Sequence, residues 1–289
     1  MLLEKNGVSF SSISGYFAAM SVTVASLNSG SNGNCYYVGN EQEAVLIDAG
    51  ISCRETEKRM KQLGLSIAKI KAIFISHEHN DHILGLEVFA RKYSLPIYIT
   101  PKTLSGIRGS FIAHQIIPFK DGDTIQVGNI AVFPFSKKHD AADPHSFLVE
   151  SHGIKVGVFT DIGSPCHNLA HYFRKCKVAF LEANYDEDML LNGRYPHHLK
   201  HRIHGDFGHL SNRQALDFFL QHRSEKLSHL ILSHLSKENN HPEIVAKLFQ
   251  EHADKTQITI ASRQEASALF HFAPFNKVVQ QKMVQAKLF

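Results

Sequence analysis

The chain has 289 residues, enough for one large domain or two modest ones. At 43% hydrophobic and 20% charged it reads as an ordinary globule, and a net charge of +4 permits an anionic ligand without requiring one. No apolar run reaches the 18 residues a membrane-spanning helix needs, and four cysteines without a CxxC pair argue against a thiolate metal site or a disulfide framework.

Residues 1–19 lack a strong positive segment and a clear apolar core. They read as a Ser-rich leader rather than a signal peptide, with Met20 as an alternative start. The expected domain runs from 20 to 289, and the expected compartment is the cytoplasm, with free thiols.

SVTVASL (21–27) alternates as a strand and is followed by the turn-rich NSGSNGN (28–34), then by the strands CYYVG and AVLID. CRETEKRMKQLG (53–64) has helical spacing and ends on a capping glycine. AIFIS (72–76) is a buried strand, and 84–93 is a helix. Strands are expected at 96–100, 130–136, 146–151 and 155–161. SPCHNLAHYFRKC (164–176) reads as a helix with Ser164 as cap and Pro165 in its first turn. VAFLEAN (178–184) is a strand, 186–205 a polar helical section, and 211–222 a capped helix. A strand (227–234), a helix (242–253) and a strand (257–261) follow. Two sheets, each covered on its outer face by helices, house this order in one domain.

The chemistry is concentrated in HEHNDH, residues 77–82, within a chain that carries 20 histidines. His77 and His79 are two apart, so in extended backbone they point the same way. Asp81 and His82 begin the turn into a helix and approach from a second direction. One loop can therefore face two neighbouring metal ions, but cannot fill both coordination shells. His139, Asp161 and His234 each follow an apolar strand and are the candidates to complete them. Asp48, at the end of AVLID, is a fourth strand-end acid, suited to fixing the ligand loop by hydrogen bonds. Imidazole and carboxylate without thiolate suit zinc, manganese or iron.

HxHxDH followed by a later His, Asp and His resembles the metallo-β-lactamase superfamily over about residues 21–261. That resemblance implies an α/β (α+β) four-layer αββα sandwich with a two-metal site at one edge. It places His77, His79 and His139 on one metal, Asp81, His82 and His234 on the other, and Asp161 between them. The segments SLNSGSNGNCYYV, SHEHNDHILGL, HDAADPHSF, LEANYDEDMLLNGRYPHHLKHRIHGDFGHLSN and LSHLSKENN resemble the YycJ/WalJ family of exonucleases. This implies 5′-to-3′ exonuclease activity on DNA. From the residues themselves, two neighbouring divalent metals can share a hydroxide as nucleophile, with Asp81 and His209 as the catalytic candidates. The short spans 140–160 and 162–233 leave no room for the clamping arm of tRNA-processing relatives or for an inserted β-CASP domain. The alternating helices and strands after His234 match neither a glyoxalase II substrate domain nor a flavodoxin-like tail.

The remaining candidates concern substrate. Ser31 and Asn32 lie in a glycine-rich loop that can bring backbone N–H groups to an oxyanion, or that is simply a tight turn. His209 and Ser211 stand at a helix start, where His209 can contact a phosphate or protonate a leaving oxygen. Arg194, Lys200 and Arg202, with His201 and His204, form a basic face that either tracks a nucleic-acid backbone or is merely solvated. Tyr185 and Tyr195 suit packing better than base stacking. Nucleic acid, chiefly DNA, is the expected partner, with no membrane and no obligate protein. The rival reading is a hydrolase of a small thioester or cyclic phosphodiester on the same centre. A metal-stabilised binding module is the more distant third.

Overall fold

The computed structural model describes residues 21–274, so the leader expected at 1–19 and the last part of the expected domain lie outside the described residues. The first half of the chain runs β1 (Val22–Asn28), β2 (Cys35–Gly39), β3 (Ala44–Ile47), α1 (Cys53–Gln62), β4 (Ile70–Phe74), α2 (Asn80–Ile83), α3 (Leu86–Tyr93), β5 (Ile97–Ile99), α4 (Pro101–Gly106) and β6 (Ile116–Pro118). The second half runs β7 (Ile125–Val127), β8 (Ile130–Ser136), β9 (His145–Ser151), β10 (Ile154–Phe159), α5 (His167–Phe173), β11 (Val178–Glu182), α6 (Glu187–Asn192), α7 (His197–His204), α8 (Asn212–His222), β12 (His229–Ser233), α9 (Pro242–Gln250), β13 (Gln257–Ile260) and β14 (Phe270–Phe272).

Two seven-stranded mixed sheets result, ordered β14-β1-β2-β3-β4-β5-β6 and β13-β12-β11-β10-β9-β8-β7. The strands β3 to β6 are parallel, as are β10 to β13, and the others pair antiparallel.

Side-chain alternation explains the four layers. In β3, Val45 and Ile47 enter the core between the sheets, while Ala44 and Leu46 face the helices outside. In β11, Val178 and Phe180 face the inter-sheet core, and Ala179 and Leu181 the outer one. Such strands are buried on both faces, which is why they read as unbroken apolar runs. Phe74 of one sheet meets Phe147 of the other edge-on at 5.8 Å, joining the two. On the first sheet's outer face sit Met60 of α1 and Phe89 of α3, and on the second's, Phe173, Phe219 and Phe249 of α5, α8 and α9. The αββα sandwich expected from the sequence is the observed architecture.

Differences from the expected elements are local. The helix expected over 164–176 is confined to His167–Phe173, with Cys166 at its N-cap position and no side-chain cap. The segment 186–205 divides into α6 and α7, because Pro196 cannot continue α6 and starts a new helix. A one-turn helix, α2, precedes α3 and carries Asp81 and His82. The short elements α4, β6, β7 and β14 were not anticipated. β14 closes the first sheet by pairing Phe272 with Val22, a contact no local pattern announces.

All four cysteines, Cys35, Cys53, Cys166 and Cys176, are free thiols. No helix among the described residues is long and apolar enough to cross a membrane.

Candidate metal centre

The C-terminal ends of β3, β4, β8, β10, β11 and β12 converge at one edge of the sandwich. The first sheet brings Asp48, His77, His79, Asp81 and His82, and the second brings His139, Asp161, Glu182 and His234. Three of these strand-end residues, Asp48, Asp161 and His234, adopt left-handed backbone (φ 62°, 54° and 57°). That conformation costs an L-residue roughly 1–2 kcal/mol, so the surrounding contacts must hold it. Two of those contacts are visible. Lys137, buried, donates to the Thr160 carbonyl at 2.7 Å, just before Asp161. The His234 amide donates to Ser29 Oγ at 2.7 Å.

The ligand loop is clamped from below. Asn34 N donates to the Asp81 carbonyl at 2.7 Å, and Ala49 N to the His82 carbonyl at 2.9 Å. Gly50 passes so close that a Cβ there would stand 1.7 Å from the Asp81 carbonyl oxygen. Only glycine permits that approach.

Two clusters of ligand atoms face each other. In the first, His79 Nδ1 lies 3.0 Å from His77 Nε2 and 3.3 Å from His139 Nε2. Nitrogens bound about 2.0–2.1 Å from a tetrahedral ion stand about 3.3 Å apart, so this spacing fits a metal between them. In the second, Asp81 Oδ2 lies 3.5 Å from His82 Nε2 and 3.4 Å from His234 Nε2. Asp161 lies between the clusters, with Oδ2 3.2 Å from His82 Nε2 and Oδ1 3.8 Å from His139 Nε2. Asp161 Oδ2 and His234 Nε2 are buried yet make no hydrogen bond, although a site neighbour stands within 3.4 Å of each. Buried polar atoms rarely go unpaired, and a cation would satisfy both. The residues therefore fit a pair of divalent ions.

The outer contacts fix which nitrogen faces inward. His139 Nδ1 lies 3.0 Å from the Gly208 carbonyl, which can only accept, so the Nε2 of the neutral ring presents a lone pair. Ser76 Oγ donates to Asp48 Oδ2 at 2.8 Å and can then accept from His77 Nδ1 at 2.9 Å, leaving His77 Nε2 free. Asp48 Oδ2 also accepts from His82 Nδ1 at 2.7 Å, and Glu182 Oε1 from His234 Nδ1 at 2.8 Å. The carboxylates behind His82 and His234 orient those rings and raise their basicity toward a metal, while a carbonyl and a hydroxyl orient His139 and His77.

Charge follows the same geometry. Burial holds His77 well below its ordinary value and brings His139 down to about 3, so both are neutral. Burial opposes charge on His82 and His234 too. For His82, Asp161, Asp48 and Asp81 outweigh it and raise the group well up. For His234, Asp161, Asp81 and Glu182 outweigh it and push the group up to about 10. Burial would raise Asp161 and Glu182. The cationic histidines around Asp161 hold it well down instead, and His209 with His234 brings Glu182 to about 2. The metal-free centre is thus a set of carboxylates balanced by protons on His82 and His234, which a divalent ion would displace.

His209 joins the centre: its Nδ1 lies 2.9 Å from Glu182 Oε1, and its ring stands 5.2 Å from that of His139 and 5.3 Å from that of His234.

Other sequence candidates are placed elsewhere. Ser31 and Asn32 are exposed, and the Asn32 amide donates to the Arg263 carbonyl at 2.8 Å. It is Asn34, two residues on, that reaches the centre, with Nδ2 3.2 Å from Asp81 Oδ2. Ser211 is buried and committed, since its hydroxyl caps α8 by accepting from Gln214 N and donates to Glu187 at 2.8 Å. It is a helix cap rather than a substrate contact. In the basic face, Lys200 donates to the Leu191 carbonyl at 2.7 Å and Arg202 pairs with Asp140. Those two cations are spent on protein partners, and Arg194 remains exposed. Tyr185 is fully buried, and Tyr195 packs beside it with Leu190 and Ile203. Glu182 was missed by sequence reasoning, although it ends an apolar strand just as Asp48 and Asp161 do.

The chain matches the β-lactamase superfamily domain over residues 43–234. Exodeoxyribonuclease YycJ of Bacillus anthracis is 37% identical over 221 residues, spanning 75% of this chain and 84% of that protein. Exodeoxyribonuclease WalJ of Streptococcus pneumoniae serotype 2 is 32% identical over 223 residues, 75% of this chain and 83% of that one. Among solved structures, the metallo-β-lactamase-fold protein YhfI from Bacillus subtilis superimposes with a TM-score of 0.67 at 15% identity, covering 87% of this chain and 100% of YhfI. A histidine-rich edge on an αββα sandwich and the similarity to YycJ and WalJ lead to one assignment: the chain belongs to the metallo-β-lactamase superfamily and, within it, to the YycJ/WalJ family.

Proposed function

We propose that the protein is a two-metal exonuclease that degrades DNA from its 5′ end. The observation that carries this reading is the pair of facing ligand clusters sharing Asp161, in a chain 37% identical to an exodeoxyribonuclease. Zinc, manganese and iron all suit the all-imidazole-and-carboxylate ligand set. His77, His79 and His139 would hold one ion, Asp81, His82 and His234 the other, with Asp161 between them. When bound, the two ions lower the pKa of a water toward neutrality and neutralise charge on the phosphate being attacked.

The protein's own groups do the rest. Asp48 keeps His77 and His82 turned inward through Ser76 and directly. Glu182 holds the Nδ1–H of His209, leaving the opposite nitrogen, Nε2, directed away from the carboxylate. Protonated there, His209 gives a proton to the departing sugar oxygen, a step typically worth about 10²–10⁴ in rate. Free thiols throughout accord with the reducing cytoplasm as its compartment.

The test is stepwise degradation of end-labelled single- and double-stranded DNA with manganese or zinc, comparing wild type with Asp81→Ala/His82→Ala. We expect loss from the 5′ end that the double variant abolishes. A metal-loaded wild type that cleaves neither substrate would remove the nuclease reading and leave the fold and ligand set standing.

A further inference from the structure

The helix α7 carries two ligand-type side chains that the metal centre does not use. His197 and His201 are four residues apart, so they stand one above the other on one face of the helix. Their Nε2 atoms approach to 3.2 Å, with the ring centroids 4.3 Å apart and the planes inclined at 67°. Two nitrogens on one tetrahedral ion stand about 3.3 Å apart, and the spacings in the three-histidine cluster are 3.0 and 3.3 Å. Sequence spacing alone does not bring the nitrogens together. His167 and His171 on α5 are also four apart, yet their rings lie near-parallel with centroids 6.1 Å apart.

The pair is open to a ligand. Both residues are exposed, at a cavity of about 310 Å3 backed by Tyr185, Leu190 and Leu191. The nearby cations are turned aside: Lys200 donates to the Leu191 carbonyl at 2.7 Å, and Arg202 pairs with Asp140. A hydrogen bond between two imidazoles uses one proton and one lone pair, whereas a divalent ion takes a lone pair from each and leaves its other positions to water. Imidazole ligands suit zinc, copper and nickel.

The same helix leads into the turn behind the metal centre. The His201 carbonyl accepts from Gly205 N at 3.0 Å, and the Ile203 carbonyl from His209 N at 2.9 Å. Gly208 packs so closely on this last helical turn that a Cβ there would stand 2.2 Å from the Arg202 and Ile203 carbonyl oxygens. The Gly208 carbonyl in turn accepts from His139 Nδ1. We propose that His197 and His201 bind a third divalent metal ion, separate from the two ligand clusters, and that this ion stiffens α7 and the turn behind His139 and His209. The site stands whether or not the centre cleaves DNA.

Two measurements test it, on protein whose centre is already loaded with zinc. In the first, equilibrium dialysis against micromolar zinc counts the ions. Wild type is expected to hold one zinc per chain more than His197→Ala/His201→Ala, and the conservative His201→Gln to weaken that ion about 10-fold or more. His171→Ala, on α5, should bind as wild type does. Equal zinc uptake by wild type and the double variant overturns the proposal. So does an extra zinc that enters only at millimolar concentration, or one that His171→Ala also removes. In the second, amide hydrogen exchange is followed at Gly205 and His209. With free zinc at about ten times the dissociation constant of the third ion, exchange should slow about 10-fold in wild type and far less in His201→Gln. Unchanged exchange with the ion bound overturns the stiffening, whatever the zinc count.

Discussion

Glu182 accepts four hydrogen bonds, from His234 Nδ1 and His209 Nδ1 on one oxygen and from the amides of Ile162 and Leu210 on the other. A glutamine there has one acceptor and one donor end, so either orientation sets a donor against donors, at about 1–3 kcal/mol for each group left unpaired. Glu182→Gln should therefore lower kcat by about 10²–10³ through His209 and weaken metal retention about 10- to 100-fold through His234. Assaying activity at saturating metal, alongside the metal content after dialysis, separates the two effects. An unchanged rate at full occupancy would show that His209 transfers no proton. Of the site residues, those in HEHNDH were legible because local spacing alone puts them on one loop. His139, Asp161 and His234 were legible as polar residues after apolar strands. Glu182 obeys the same rule but is embedded in VAFLEAN, and only the approach of His209 and His234 from distant segments reveals its task. Asn34, which turns toward Asp81, carries no signal that sets it apart from Asn32, because a loop's sequence does not say which amide turns inward.

At the scale of elements, α8 shows how a helix start can imitate a binding site. Ser211 and Gln214 form a reciprocal capping box, and the Ser211 hydroxyl also donates to Glu187 at the start of α6. Ser211→Ala removes the cap and strands that carboxylate. It should cost about 1–2 kcal/mol of stability in urea denaturation, with activity per folded molecule retained. A loss of activity at unchanged stability would return Ser211 to the substrate-binding residues. Strands were the most legible elements, because those buried on both faces leave continuous apolar runs. Helix ends were less so, as α5 illustrates: Ser164 and Pro165 are good starting residues, yet the helix begins after Cys166. The pairing of β14 with β1 depends on contacts about 250 residues apart and has no local signature.

For the whole molecule, the protons on the metal-free centre couple stability to pH. His234 is raised to about 10, so its contribution is fully present below an unfolded value of about 6.5 and fades as pH rises toward 10. His82 acts in the same direction. His139, lowered to about 3, acts oppositely: the unfolded chain takes up its proton below about 6.5, so stability falls as pH drops from there toward 3. Glu182, lowered to about 2, adds a loss between about 4.5 and 2. Metal-stripped protein should show a Tm maximum near pH 6–7 that declines on both sides. Metal-loaded protein should hold its Tm on the alkaline side, where the ions replace the displaced protons. Matching alkaline declines in both forms would mean that His82 and His234 do not exchange protons for metal.

The strand order has a consequence for how the protein is made. Apart from β14, each sheet is assembled from one continuous half of the chain, yet the ligands are split between the halves. A ribosome that has released only the first sheet has exposed Asp48 and the HEHNDH loop, but neither cluster is complete. The three-histidine cluster waits for His139, the bridging carboxylate for Asp161, and the second cluster for His234, the last of the ligands in the sequence. The nascent chain is thus unarmed until both leaves have emerged and closed on each other. Metal capture then marks the completion of folding.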